Sequence, residues 1–383
     1  MSRRKSSPAR PSPGHSSPGR SSPGRSEHSA GIKSTSWRRP GRLGAIGLCV
    51  LGLVVAGTVW LRSSQSRAQY QQALTILETD PAHAEKLAES AIAEAWDDYP
   101  EAQLLQCRAL AALGQWHMAL GAFSLIEDTS KCDPAFLFDL GEKSFKDGEW
   151  KLAELALQAT ARQTGTMQTR ALELLIQLHL KFHHLPEVLL LCREWQRVDP
   201  EAALPWAIVG DLEASAVELG PAIADYREAL RRSPPSDLER TTRSSLTLLL
   251  VLTGDTVAAR REFDVVLKTT SLPPTDQLIY AQLLRLEGRS DEALKEIDSY
   301  LSRAGADSES LKQRGIIHLD AGRLEQALAD LKESVQMNPR DIGAQHKLAQ
   351  VYTRLGNDEA AKVHRDEGRR LSEAADRASE LKK

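Results

Sequence analysis

Aromatic residues are scarce in this chain, with Phe, Trp and Tyr together making up 5% of 383 residues. A core with so few rings has to be assembled from many small aliphatic contacts, which Leu and Ala supply best in helices. No run alternates apolar and polar residues as a half-buried strand would, which removes the β classes. Cysteine is equally sparse: Cys49, Cys107, Cys132 and Cys192 form no CxxC and no metal-ligand spacing. A disulfide framework and a zinc ribbon are thereby excluded. Also absent are GxxxxGK[ST], a GxGxxG after a strand, HExxH and GxSxG, so the phosphate-cradling, zincin and nucleophile-elbow chemistries find no residues here. No catalytic residue, metal ligand set or cofactor is expected.

The charge is unevenly placed. Residues 1–42 hold ten Lys/Arg against Glu27 alone, a local +9, so a chain of net −3 leaves −12 for the rest. Nucleic acid needs a basic stripe across a folded surface, and this body is acidic, so no nucleic-acid partner is expected. Within the basic head, residues 6–25 read "SSPARPSPGHSSPGRSSPGR", a five-residue unit repeated. Ser, Pro, Gly and Arg at that density bury too little apolar surface to offset ordering entropy, so residues 1–42 are expected to be a disordered Ser/Pro/Arg-rich tail. Such a tail suits contact with anionic lipid or phosphorylation at its Ser-Pro sites.

An uncharged run follows, "LGAIGLCVLGLVVAGTVWL" at residues 43–61. As a helix it reaches about 28 Å, the thickness of a hydrocarbon core. Arg38, Arg39 and Arg42 stand before it, Trp60 and Arg62 at its far end. It is long for a secretory signal and lacks a good cleavage site, while a twin-arginine signal or organelle transit peptide fits less well. The run predicts a single transmembrane helix over 43–61, with the membrane as one partner. The basic excess before it predicts a cytoplasmic N-terminus and a body on the other side, periplasmic in a bacterium. Residues 62–66 read as a short linker.

Beyond residue 66 the chain repeats itself. "GRLEQALADLKESVQMNP" from Gly322 has counterparts in "GRSDEALKEIDSYL" from Gly288 and "GNDEAAKVHRDEG" from Gly356. The alanine five residues after each glycine is one rung of a ladder: Ala361, Ala327, Ala293 and Ala259 at steps of 34, then Ala222, Val188, Ala153, Ala119 and Ala88 at steps of 31 to 37. Twelve residues before the rung stands a small residue in most copies (Cys107, Gly141, Gly210, Ala281, Gly315, Ala349). Four after it stands a large one (Phe123, Leu157, Tyr226, Phe263, Ile297, Leu331), and twelve after it Pro200, Pro234 and Pro339 close three copies. Small against large lets two helices approach closely. Gly114, Gly148, Gly254, Gly288, Gly322 and Gly356 fall where the chain must turn between them. One such pair cannot bury its own apolar face, so neighbours must stack.

This pattern resembles the tetratricopeptide repeat, W-x2-L-G-x2-Y then A-x3-F then A-x4-P. The copy with Trp206, Val209, Gly210, Ala222, Tyr226, Ala229 and Pro234 carries it best, and Leu348, Ala349, Tyr352 and Ala361 repeat it. Thr247 departs from it at a small-residue position. The resemblance covers residues 67–370 and implies an all-α, right-handed solenoid of about eight to nine helix-turn-helix repeats. Residues 371–383 read as a polar C-terminal helix cap.

The resemblance further implies a concave groove lined by the first helix of each repeat, which binds a protein or peptide partner. Carried onto this sequence it selects Arg108, Glu142, Lys146, Gln177, Lys181 and Asp211 in the first half, and Gln282, Arg285, Lys312, His346, Gln350 and Arg354 in the second. Mixed polarity there suits an extended peptide more than a buried apolar helix. The clamp by which some of these domains hold chaperone C-termini needs two asparagines on first helices, whereas Asn338 and Asn357 lie elsewhere. The expected function is a non-catalytic, membrane-anchored scaffold, similar to bacterial proteins whose repeats help assemble envelope machinery. Two alternatives stand beside it. One is a cleft-type enzyme or carbohydrate-binding protein, for which only the His179 and His183 pair offers a thread. The other is a self-associating structural solenoid.

Overall fold

The 34-residue step materialises as helical hairpins in a computed structural model that describes residues 42–268 and 272–380, with side chains over 51–268 and 272–377. The described residues form 18 α-helices, one 3-10 turn at Thr129–Lys131 and no strand. They pair in order. The first four pairs are α1 (Arg42–Ile76) with α2 (Pro81–Glu94), α3 (Pro100–Ala112) with α4 (Trp116–Ser124), α5 (Pro134–Lys146) with α6 (Trp150–Ala161), and α7 (Thr166–Lys181) with α8 (Leu185–Val198). Next come α9 (Leu204–Ser215) with α10 (Leu219–Arg231), α11 (Ser236–Thr253) with α12 (Thr256–Val266), and α13 (Pro274–Leu286) with α14 (Ser290–Ala304). Last are α15 (Ser308–Asp320) with α16 (Leu324–Met337) and α17 (Ile342–Arg354) with α18 (Asp358–Glu380).

Every rung of the ladder lies where the pattern puts it. Ala88, Ala119, Ala153, Val188, Ala222, Ala259, Ala293, Ala327 and Ala361 are all completely buried, which fixes nine hairpins within the expected eight to nine. The small and large positions meet in space. A β-carbon added to Gly141 would stand 2.7 Å from Leu157 Cγ, one on Gly210 2.8 Å from Tyr226 Cδ1, and one on Gly315 2.7 Å from Leu331 Cγ. Close helix approach therefore depends on the missing methyl.

The turns between paired helices share one geometry. Gly114, Gly148, Gly254, Gly288, Gly322 and Gly356 have φ between +71° and +82°, and the next amide closes back on the carbonyl five residues earlier, as in Gln115 N to Leu110 O at 2.9 Å. His183 (φ 57°) and Val217 (φ 64°) occupy that slot in the fourth and fifth hairpins. Helix starts are fixed by Asp80, Asp133, Asp255 and Asp341, whose carboxylates accept from first-turn amides, and by Asp307, which forms a capping box with Ser310.

The core is a string of apolar clusters. Phe123 of α4, for example, shares one with Leu137 and Leu140 of α5, and Leu331 of α16 shares another with Leu348 and Val351 of α17. Each hairpin is completed by the next. Among the described residues, successive first helices also touch directly from α3 through α5 to α7 and from α9 through α11, α13 and α15 to α17, and the second helices α4 and α6 touch as well. The first helices thus form the closer, inner row. Cys107, Cys132 and Cys192 are buried and unpaired.

The membrane anchor expected over 43–61 is corrected by the structure. Among the described residues no helix is long and apolar enough to cross a membrane. Helix α1 is a single 35-residue helix that runs on past the apolar run. From Arg62 the same helix turns amphipathic. Ser66 is buried and donates to Ala91 O at 2.7 Å, and Ala73 and Leu77 pack against Ala84 and Ala88 of α2. Residues 62–66, expected as a linker, are part of this helix. The single-pass topology, the cytoplasmic N-terminus and the membrane as a partner fall with the span. The tail expected over 1–42 lies outside the described residues up to 41. At the other end, residues 371–380 are a direct continuation of α18.

Candidate functional site

All twelve residues chosen for the groove sit on first helices, but their side chains divide into two groups. The first group ties one repeat to another. Arg108 Nη2 donates to Asp139 on the following first helix at 2.8 Å and its guanidinium lies 4.3 Å from the centre of the Phe136 ring. Arg285 Nη1 reaches Asp320 at 2.8 Å, and Lys312 Nζ pairs with Glu309 and, at 2.9 Å, with Asp341 at the start of α17. Arg354 Nη1 donates backward to Leu319 O at 2.9 Å. These cations already have partners 29 to 35 residues away, and recruitment by a ligand would compete with stacking. Asp211 is engaged as well, but inside its own repeat, since Tyr226 Oη donates to it at 2.6 Å within the fifth hairpin. Burial raises its carboxyl above the ordinary range while the Tyr226 hydrogen bond pulls it back.

The second group faces solvent. Glu142 and Lys146 pair with each other along α5 at 3.0 Å. Gln177 and Lys181 are exposed on α7, Gln282 is half-buried on α13, and His346 and Gln350 are exposed on α17. In the first half, Lys181 lies against a ring cluster that the sequence pattern did not select. Phe145 meets Trp150 edge-on at 5.6 Å, Trp150 meets Phe182 edge-on at 5.8 Å, and Lys181 Nζ lies 4.5 Å from the centre of the Trp150 ring. The signal available beforehand was two aromatics beside the turn slots in a chain that has few. On α17, the structure brings His346, Gln350 and Arg354 into one cleft with Arg365 of α18.

The histidine thread runs differently from its sequence spacing. Helix α7 ends at Lys181, so His183 falls in the turn at φ 57° and is not helically stacked on His179. The neighbour of His179 is His184, with 3.3 Å between their Nδ1 atoms, and His179 is only 6% exposed. Among the described residues no group of three or more His, Cys, Asp or Glu is arranged to hold a metal ion. Nor are the thiols activated: burial pushes those of Cys132 and Cys192 up to about 12 and raises that of Cys107 as well.

A second surface, also missed in the sequence, is an apolar groove of about 670 Å³ between the fifth and sixth hairpins, lined by Val217, Leu219, Leu248, Leu249 and Leu252 with Asp211 and Tyr226. Val217 is 75% exposed. A β-branched side chain in left-handed backbone at an open rim is a strained arrangement.

Residues 318–364 match the tetratricopeptide repeat family. No curated protein matches the chain by sequence. Among solved structures, a tetratricopeptide repeat protein from Parabacteroides merdae ATCC 43184 is 17% identical, over 62% of this chain and 93% of its own, with a TM-score of 0.48. YrrB, described as a TPR protein with an unusual peptide-binding site, is 19% identical over 47% of this chain and 91% of its own, at a TM-score of 0.34. MamA is 14% identical over 44% and 97%, at 0.34. The family match spans α16 and α17 with parts of their neighbours, and buried rungs like those of the matched segment recur in the other hairpins of the described residues.

Proposed function

We propose that the chain is a non-catalytic scaffold that binds a segment of another protein along its row of first helices, with α5 and α7 as the principal contact. The observation that carries this reading is the exposed Lys181 lying over the Trp150 ring, which meets Phe145 and Phe182 edge-on. Aromatic surface with cations beside it is the composition that anchors protein contacts. A partly exposed ring cluster already braced edge to edge loses little freedom when a ligand covers it. Polar residues around it can pair with a peptide backbone, which suits an extended segment better than an apolar helix.

Lys181 is the clean probe, because Arg285 and Arg354 hold neighbouring repeats and their reversal would disturb the stacking itself. The test is selection from a random-peptide library displayed on phage against the full chain, followed by binding measurements on the selected peptides. Lys181→Glu with Phe182→Ala should weaken them by roughly ten-fold or more, the scale of one interface anchor, with the helical circular dichroism unchanged. Peptides that bind this double variant undiminished would move the site elsewhere.

A further inference from the structure

The cleft at the last hairpin is built unlike the corresponding place in the hairpins before it. In the seven hairpins from α3 to α16, the residue four positions after the rung is buried; Leu157, Phe263 and Leu331 are examples with no exposure at all. That residue packs on the next first helix, as Leu331 does on Leu348 and Val351 of α17. In the last hairpin the same position is Arg365, exposed and without an ion pair or hydrogen bond among the described residues. A first helix one step of 34 beyond α17 would begin at about residue 376, but α18 runs unbroken from Asp358 to Glu380 through that point. So α18 itself occupies the sequence from which a next first helix would be drawn.

The resulting cleft of about 580 Å³ is lined by His346, Ala349, Gln350, Thr353 and Arg354 of α17 with Arg365 of α18, and no acidic side chain is among them. His346 is held in place there, its ring lying on Gly368, where a β-carbon would come within 2.5 Å of it. The internal junctions show what such a surface accepts. Four ion pairs join consecutive first helices or their caps: Arg108 to Asp139, Arg240 to Asp276, Arg285 to Asp320 and Lys312 to Asp341. In each the cation is on the earlier helix and the carboxylate on the later one. The cleft at α17 and α18 presents the cationic half of that arrangement.

We propose that this cleft docks an acidic helical segment of a partner protein, which lies where a further first helix would lie and places a carboxylate against Arg365. A second copy of the chain is the wrong occupant by charge. The first helix it would offer, Arg62 to Ile76 of α1, carries Arg62 and Arg67 and no acid. This surface is separate from the α5–α7 contact proposed above, and the two are tested apart.

The probes are two labelled synthetic peptides of about 20 residues, long enough to be helical in isolation when Ala-rich, one with Glu and one with Lys along a single face. Fluorescence anisotropy with the full chain should show binding of the Glu-faced peptide, weakening with salt, and none of the Lys-faced one. Arg365→Glu should cost about ten-fold in affinity or more, since it replaces an attraction by a repulsion at a rim contact. Lys181→Glu should leave this binding as it was while weakening that of library-selected peptides. Equal binding of both peptides, or indifference to Arg365→Glu in a variant of unchanged helicity, overturns the proposal. Displacement of the Glu-faced peptide by millimolar inorganic phosphate would make the cleft a free-anion site and overturn it too. Concentration-dependent self-association in sedimentation that Arg365→Glu removes would assign the cleft to a second copy and likewise overturn it.

Discussion

Gly315→Ala tests whether the missing methyl, more than helix propensity, sets the spacing of these hairpins. Gly315 lies inside α15 opposite Leu331 of α16, and a β-carbon there would stand 2.7 Å from Leu331 Cγ, 3.2 Å from Cδ2 and 3.3 Å from Asp330 Cβ. The nearest atom is the branch carbon, not the free end of a flexible chain. Leu331 is completely buried with Ala327, Leu348 and Val351 in its cluster, so it has no empty rotamer to move into. Alanine in place of glycine inside a helix should gain about 1 kcal/mol. Overpacking a filled core costs about 1–3 kcal/mol. With contact this short the second effect wins, for a net loss of roughly 1 kcal/mol. Gly121 in α4 is the control, since nothing lies within 4 Å of its added β-carbon. Gly121→Ala should therefore stabilise by about 0.5–1 kcal/mol. Urea titration followed by circular dichroism gives the sign, and hydrogen exchange of α15 and α16 amides locates it, because stacked repeats can open by zones. Gly315→Ala protecting those amides as Gly121→Ala protects α4 would refute the close-packing argument.

Three further outcomes are expected. Val217→Gly should stabilise the fifth hairpin by about 1 kcal/mol, since a left-handed residue with a β-carbon is strained, and exchange of the α9 and α10 amides should slow; no change would mean the turn relaxes around valine. Burial raises the carboxyls of Glu213 and Asp225 above the ordinary range; the Asp225 carboxyl raises Glu213 further, while the hydrogen bond with Glu213 pulls Asp225 part of the way back. Their folded state therefore holds protons more tightly than the unfolded chain, so this stabilisation is complete below the ordinary carboxylate values and lost as pH rises through the raised ones. Glu213→Gln should accordingly protect α9 and α10 more at pH 8 than at pH 4, and equal protection at both would contradict it. Maleimide should label Cys107, Cys132 and Cys192 only through local opening, because burial raises all three thiols; labelling at the rate of free cysteine in the native protein would show them exposed.

The sequence alone was sufficient for the repeat, because its cause is local. A rung residue, a small residue twelve before it and a large one four after it are bound by helix geometry and by a turn that favours glycine, so Gly315 and Leu331 could be paired before any coordinates. The slots filled by His183 and Val217 show the limit, since stacking imposes the left-handed turn even on residues that resist it. What the tertiary structure decided was the fate of the charges and of the ends. Arg108, Arg285, Lys312 and Arg354 looked as free as Lys181, yet each finds a partner about one repeat away, at a distance set by how closely neighbouring first helices approach. The apolar run at 43–61 suggested a span on composition, but helix α1 continues beyond it into a face that packs on α2. Whether Arg365 belonged to a core position or an open cleft likewise depended on α18 continuing straight, a choice made by which faces remain uncovered once nine hairpins have stacked.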